Sequence, residues 1–145
     1  MTATFCGHRT IEDQTAISKW LDTLLPALIE GGVSIFYLGG YGTFDVLAAK
    51  AVWRQKVIYP GIKAILVLPY ANQSIDTSCY DKTIYPISEA VPPRYAIIER
   101  NRWMVKKANI VISGVNHSWG GAAKTLAYAR QERRVVLQYP TVRRE

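Results

Sequence analysis

The sequence predicts a doubly wound α/β fold, a parallel sheet of about five strands with helices on both faces. Two observations carry this expectation. Short β-rich apolar runs alternate with longer segments of helical period along the 145 residues, which is the pattern of parallel strands joined by helical crossovers. Three of the strand-to-helix junctions also contain glycine, as GHRT, GGYGT and NHSWGGA, the composition of turns that let backbone approach closely.

Strand one is TATFC, residues 2–6. A helix follows over 15–30, with Ile17, Leu21, Leu24 or Leu25, and Leu28 on one face. Pro26 lacks a backbone donor and predicts a kink or break near 22–26, and the Gly31, Gly32 pair ends the helix. VSIFYLG, 33–39, is strand two; a helix over 43–56 turns Phe44, Leu47, Ala48 and Ala51 or Val52 inward. IKAILVLPY, 62–70, is a continuous apolar run suited to a strand buried on both faces. Residues 71–95 are polar, rich in Tyr and Pro, and long enough to serve as a lid or binding segment. A helix over 95–107, a strand over 109–115, a helix over 120–133 and a strand over 134–139 complete one domain, 1–145.

A hydrophobic content of 49% suffices for one packed core. The net charge of +7 is local: residues 94–145 hold 11 Lys/Arg against 3 Asp/Glu, and residues 1–93 hold 7 against 8. This asymmetry suits anionic ligands, nucleic acid or an acidic partner surface. Cys6 and Cys79 have neither zinc-site spacing nor the number for a disulfide framework, so a cytoplasmic setting is expected, with no metal and no cofactor. No apolar run reaches the 18 residues of a membrane span, and MTATFCGHR has no signal-peptide regions.

Right-handed crossovers put every strand-to-helix turn at the carboxyl edge, so the turns at 7–10, 39–43 and 116–121 should form one crevice. Gly7, His8 and Arg9 supply close approach and a cation in the first. Gly39, Gly40, Tyr41, Gly42 and Thr43 place amides at a helix start in the second. Asn116, His117, Ser118, Trp119, Gly120 and Gly121 repeat that device in the third. Such amides attract phosphate, and three turns together suit more than one phosphate or ribose. His8 and His117 read as hydrogen-bonding loop residues, for no acidic partner is placed beside them. Trp20 and Trp53 read as packing residues, and Trp119 suits either packing or stacking on a base. In IIERNRWM, 97–104, Arg100 and Met104 share a helix face and Arg102 points nearly opposite, so Arg100 is the arginine expected in the crevice. Arg130, Arg133 and Arg134 near a helix C-terminus suit its dipole.

LGGYGTFD followed by IIERNRWM resembles the SLOG superfamily, which includes LOG phosphoribohydrolases, DNA-processing protein A and sensor domains for cyclic ADP-ribose-type signals. TFCGHR, YDKTIYP, RNRWMV and VNHSWGGA resemble a small stand-alone bacterial and phage branch of it. The resemblance implies a Rossmann-like sheet of order 3-2-1-4-5. The LOG motifs PGGxGTxxE and MxxRKxxM lay their glycines and threonine on Gly39, Gly40, Gly42 and Thr43, and their arginine on Arg100; their catalytic glutamate falls on Val46, their lysine on Asn101 and their leading proline on Leu38. Asp45 stands one position early, turned by about 100°. Valine can neither position water nor stabilise charge on a sugar, so the resemblance implies a site that grips without cutting.

The ligand so implied is nucleotide-derived, an ADP-ribose or cyclic ADP-ribose relative, sensed or sequestered in bacterial or phage defence. Asp45 and Asn116 would take ribose hydroxyls, and Arg9 and Arg100 would face phosphate. The alternatives are a LOG-like nucleoside 5'-monophosphate phosphoribohydrolase using Asp45 and Arg100, and single-stranded DNA binding with stacking on Tyr80 or Trp119. A homodimer or tetramer is also implied by the resemblance.

Overall fold

The computed structural model describes residues 1–71 and 74–140. Asn72 and Gln73 of the long connection, and 141–145 at the end of the basic segment, lie outside the described residues. The elements run β1 Thr2–Cys6, α1 Gln14–Glu30, β2 Ile35–Leu38, α2 Gly42–Lys56, β3 Lys63–Val67, β4 Lys82–Ile84, α3 Pro93–Lys107, β5 Ile110–Ser113, α4 Gly121–Gln131 and β6 Val135–Gln138. All strand pairs are parallel, in the order β4-β3-β2-β1-β5-β6. The fold is Rossmann-like.

The five strands expected from the sequence keep the order 3-2-1-4-5, and β4 adds a sixth at the edge beside β3. It lies inside the segment that reads as one polar connection. Three residues carry too little period to announce a strand; tertiary pairing makes it one. Asp81 just before it accepts the Ala64 N–H through Oδ2 at 2.7 Å and pairs with Lys56 of α2 through Oδ1, which seats the segment in register with β3.

Alternation along the strands divides the interior in two. Ala3, Phe5, Phe36, Ala64 and Ile112 face α1 and α2, where Leu21, Leu25, Phe44, Ala48 and Val52 meet them. Cys6 and Val111 face the other side and pack with Val105 of α3 and Ala129 of α4. A side-chain period of two in each strand therefore fills both layers.

The break expected near Pro26 does not occur, because α1 is one helix across it. Ile17, Leu21 and Leu25 are buried along its inner face; their burial, about 1.5–3 kcal/mol for each such side chain, outweighs one missing backbone hydrogen bond. The helix ends as expected at the glycine pair. Val33 N–H returns to Leu28 O and Gly32 N–H to Ile29 O, both at 3.0 Å, with Gly32 at φ 114°, so α1 closes in a Schellman turn that requires glycine there.

Candidate functional site

The three turns do converge. Thr43 N–H donates to Arg9 O at 2.8 Å, Gly114 N–H to Cys6 O at 2.9 Å, and Asn116 N–H to His8 Nε2 at 3.0 Å. Phe44, fully buried, is the wedge beneath them. A Cβ on Gly7 would stand 2.2 Å from its ring, and one on Gly114 would stand 2.4 Å away, so both positions are glycine because an aromatic ring occupies the space.

Above Phe44 the turns enclose a crevice of about 400 Å³ beside β1 and β5, where the direction of winding reverses and open α/β sheets bind ligands. Of the residues expected to form the site, Gly7, His8, Arg9, Tyr41, Asp45, Arg100, His117, Trp119, Gly120 and Gly121 line it. Gly39, Gly40, Gly42, Thr43, Asn116 and Ser118 are not in the lining. Ile97, Asn101 and Met104 join Arg100 from one face of α3. Their spacing of three, four and seven residues was a readable signal. Thr10, at the end of the expected turn 7–10, also lines it, as do Cys6 and Thr125, which carried no such signal.

The glycine turn after β2 is built differently from the phosphate cradle that its composition predicts. Tyr41 N–H donates to Asp45 Oδ2 at 3.1 Å and Thr43 N–H is taken by Arg9 O, so these two amides are spent inside the protein. Gly42, at φ 84°, would place a Cβ 2.7 Å from the Arg9 Cα. Its glycine serves approach between two turns, not approach to a ligand.

Arg100 is 2% exposed. Its Nη1 donates to Gly39 O at 2.9 Å and to Val67 O at 2.8 Å, and its Nε to Asn101 Oδ1 at 2.8 Å. The expected free cation is thus a buried tie between the end of β3 and the glycine turn, and it also lies 5.0 Å from the Tyr41 ring centre. Burial lowers its pKa, against the opposing effects of Asp45, Tyr41 and Tyr70. The exposed cation of the crevice is Arg9.

Asp45 is half-buried on the crevice wall, and Val46 is 44% exposed outside it. The rotation that separates Asp45 from the next residue therefore brings it inward. Asp45 Oδ2 and the Arg100 guanidinium both lie against Gly39, 3.1 and 3.4 Å from where a Cβ would be. Desolvation pushes the Asp45 carboxyl up to about 7, although the Arg100 charge and the Tyr41 N–H pull it down. Between about pH 4 and 7 the folded chain holds a proton that the unfolded chain has released, so this group lowers stability progressively over that window and by a constant amount above it. Asp45→Asn is expected to be more stable than the parent at about pH 8, with the difference narrowing toward pH 4. Urea unfolding at several pH values checks this, and a pH-independent difference would contradict it.

His8, His117 and Trp119 form one stack. The His8 and His117 rings are 3.5 Å apart at 14°, and His117 and Trp119 are 3.7 Å apart at 20°. His8 Nε2 accepts a hydrogen bond, so its proton sits on Nδ1. Burial and then His117 lower the His8 pKa. The stack ends on Trp119, which is 69% exposed. Beside it, α4 starts at Gly121 without a side-chain cap, after Gly120 at φ 90° with open space around both glycines. The first amides of such a helix are open to an anion.

Other expected sites lie elsewhere. Tyr80 is half-buried against the core, and burial pushes its hydroxyl up to about 12. Trp20 packs edge-on against Tyr139, as expected of a packing residue, whereas Trp53 is 41% exposed. Arg102 covers Tyr128 and Arg134 donates to Lys106 O, so basic residues of the C-terminal part dress the outer faces of α3 and α4. Cys6 and Cys79 are free thiols, and burial pushes Cys6 up to about 12. Among the described residues, no three His, Cys, Asp or Glu side chains cluster as a metal site requires, and no helix is long and apolar enough to cross a membrane.

Two solved structures share this architecture. DNA processing protein A from Helicobacter pylori, described for its single-stranded DNA binding mode, superposes with a TM-score of 0.70 at 15% identity over 98% of this chain and 66% of that one. DNA processing protein A from Streptococcus pneumoniae gives 0.72 at 18% identity over 97% of this chain and 50% of that one. The chain thus spans just under two thirds of the first and half of the second. No protein-family model and no curated protein matches the sequence.

Proposed function

We propose that the crevice binds a nucleotide-derived ligand and holds it without cleaving it. The observation that carries this reading is the Trp119-capped aromatic stack standing next to the uncapped start of α4, with Arg9 across the crevice. Stacking is the interaction a base offers, and open amides with a nearby guanidinium are what a phosphate requires. Placement in the stand-alone branch of the SLOG superfamily belongs to the same proposal, as do an ADP-ribose or cyclic ADP-ribose relative as ligand, a role in sensing or sequestering it, and a homo-oligomeric state.

Calorimetric titration with ADP-ribose is the direct test. Trp119→Ala is expected to weaken binding about tenfold or more, since loss of one base–aromatic stack costs about 1–3 kcal/mol, and to lower stability by no more than its stack on His117 contributes, about 0.5–1.5 kcal/mol. Equal affinity in parent and variant would remove Trp119 from the site. The proposal also expects no free base from nucleoside monophosphates. Base release abolished by Asp45→Asn would replace it with a hydrolase.

A second reading, single-stranded DNA binding, is favoured by the likeness to DNA processing protein A. It predicts that labelled oligothymidylate binds with an affinity that falls steeply with salt. Binding of the oligonucleotide together with indifference to ADP-ribose would make it the better reading.

A further inference from the structure

We infer that a second cavity, beside the ends of β3 and β4, takes the second base of a ligand that carries two. The inference rests on the proposed nucleotide binding and enlarges the ligand beyond ADP-ribose, which carries one base. The cavity measures about 490 Å³ and is lined by Pro69, Tyr70, Tyr85, Ile87, Val91 and Pro93 among others. It opens on the same edge of the sheet as the crevice: Pro69 and Tyr70 follow β3, Tyr85 follows β4, and Pro93 begins α3. Leu68 N–H donates to Ile84 O at 3.0 Å, which aligns the two strand ends as its floor.

Arg100 ties the crevice to the strand end that leads into the cavity. It lines the crevice, its Nη1 is fixed to Val67 O at the end of β3, and Tyr70 of the cavity lies near enough to act on its charge. Four strand spacings separate β5 from β4 and two separate β1 from β3, so the two centres lie about three spacings, roughly 14 Å, apart. One nucleotide does not fill both.

Their chemistry is complementary. The crevice has Arg9 and open amides for phosphate. Among the described residues, the cavity lining contains two phenol rings and two prolines, no lysine or arginine, and Glu89 with Ser88 at its polar side. A carboxylate there repels phosphate and accepts N–H from an exocyclic amine, while tyrosine and proline faces accept a flat ring. Phosphate in the crevice and a base in each space is the arrangement that these linings suit. Two adenosines joined 5'–5' and two successive nucleotides of a strand both supply it.

The test is titration with AMP, with 5'–5'-linked diadenosine diphosphate and with the 3'–5'-linked dinucleotide d(pApA). At least one dinucleotide is expected to bind about tenfold or more tightly than AMP, and the linkage that does so identifies the source. In Tyr85→Ala, whose ring is 49% exposed and so removable without unfolding the chain, the ratio of dinucleotide to AMP affinity should collapse toward one. Dinucleotides no tighter than AMP, or a ratio that Tyr85→Ala leaves intact, would overturn the inference and leave the crevice reading standing. Failure of AMP and both dinucleotides to bind would remove both.

Discussion

Arg100→Ala is expected to lower stability by about 3 kcal/mol or more, an effect on the fold before it is an effect on any ligand. The guanidinium is buried and makes three hydrogen bonds, two of them to the carbonyls of Gly39 and Val67. Truncation removes the donor that these two carbonyls share, and a buried carbonyl that loses its partner costs about 1–3 kcal/mol. It also removes the cation that opposes protonation of Asp45, so the Asp45 pKa should rise further. For a domain of this size the loss corresponds to a fall in melting temperature of roughly 10 °C. Arg100→Lys should recover little, because an ammonium cannot span both carbonyls and Asn101 as a planar fork does. Urea unfolding measures the effect. Unchanged stability combined with lost ligand affinity would return Arg100 to the role of a ligand-facing cation.

Phe44→Ala should cost about 3–5 kcal/mol, the usual range for emptying a fully buried phenylalanine site. Its consequence is also specific, because the ring separates the turns carrying Gly7 and Gly114. In the parent, Gly114→Ala forces a Cβ to within 2.4 Å of the far edge of that ring, and overpacking of this kind costs about 1–3 kcal/mol. In the Phe44→Ala background the same substitution enters vacated space and should be close to neutral. Such strong non-additivity is the signature of two groups competing for one volume. Four proteins and one unfolding assay suffice, and additive costs would show that the ring does not hold the turns apart.

The sheet was legible because its strands are apolar runs bounded by glycine turns, and the convergence of the turns followed from crossover handedness. β4 was not, since Lys82, Thr83 and Ile84 become a strand only through β3 and Asp81. The glycine turn shows a subtler limit. GGYGT announces close backbone approach, yet what approaches is the Arg9 backbone, and only the three-dimensional position of the Asp45 carboxylate reveals where the Tyr41 amide points. The helical period placed Arg100 toward the crevice but could not supply Gly39 O and Val67 O, which come from the turn after β2 and the end of β3. Nor can a pattern in sequence bring His8 onto His117, whose rings meet only after β1 and β5 have paired.

The main-chain stitching of the turns, Thr43 to Arg9 and Gly114 to Cys6, has a thermodynamic consequence. Walls fixed in this way are ready before any guest arrives, so association should order few loop residues and forfeit little conformational entropy. Variants of the rim should then differ mainly in how long the guest stays, not in how quickly it enters.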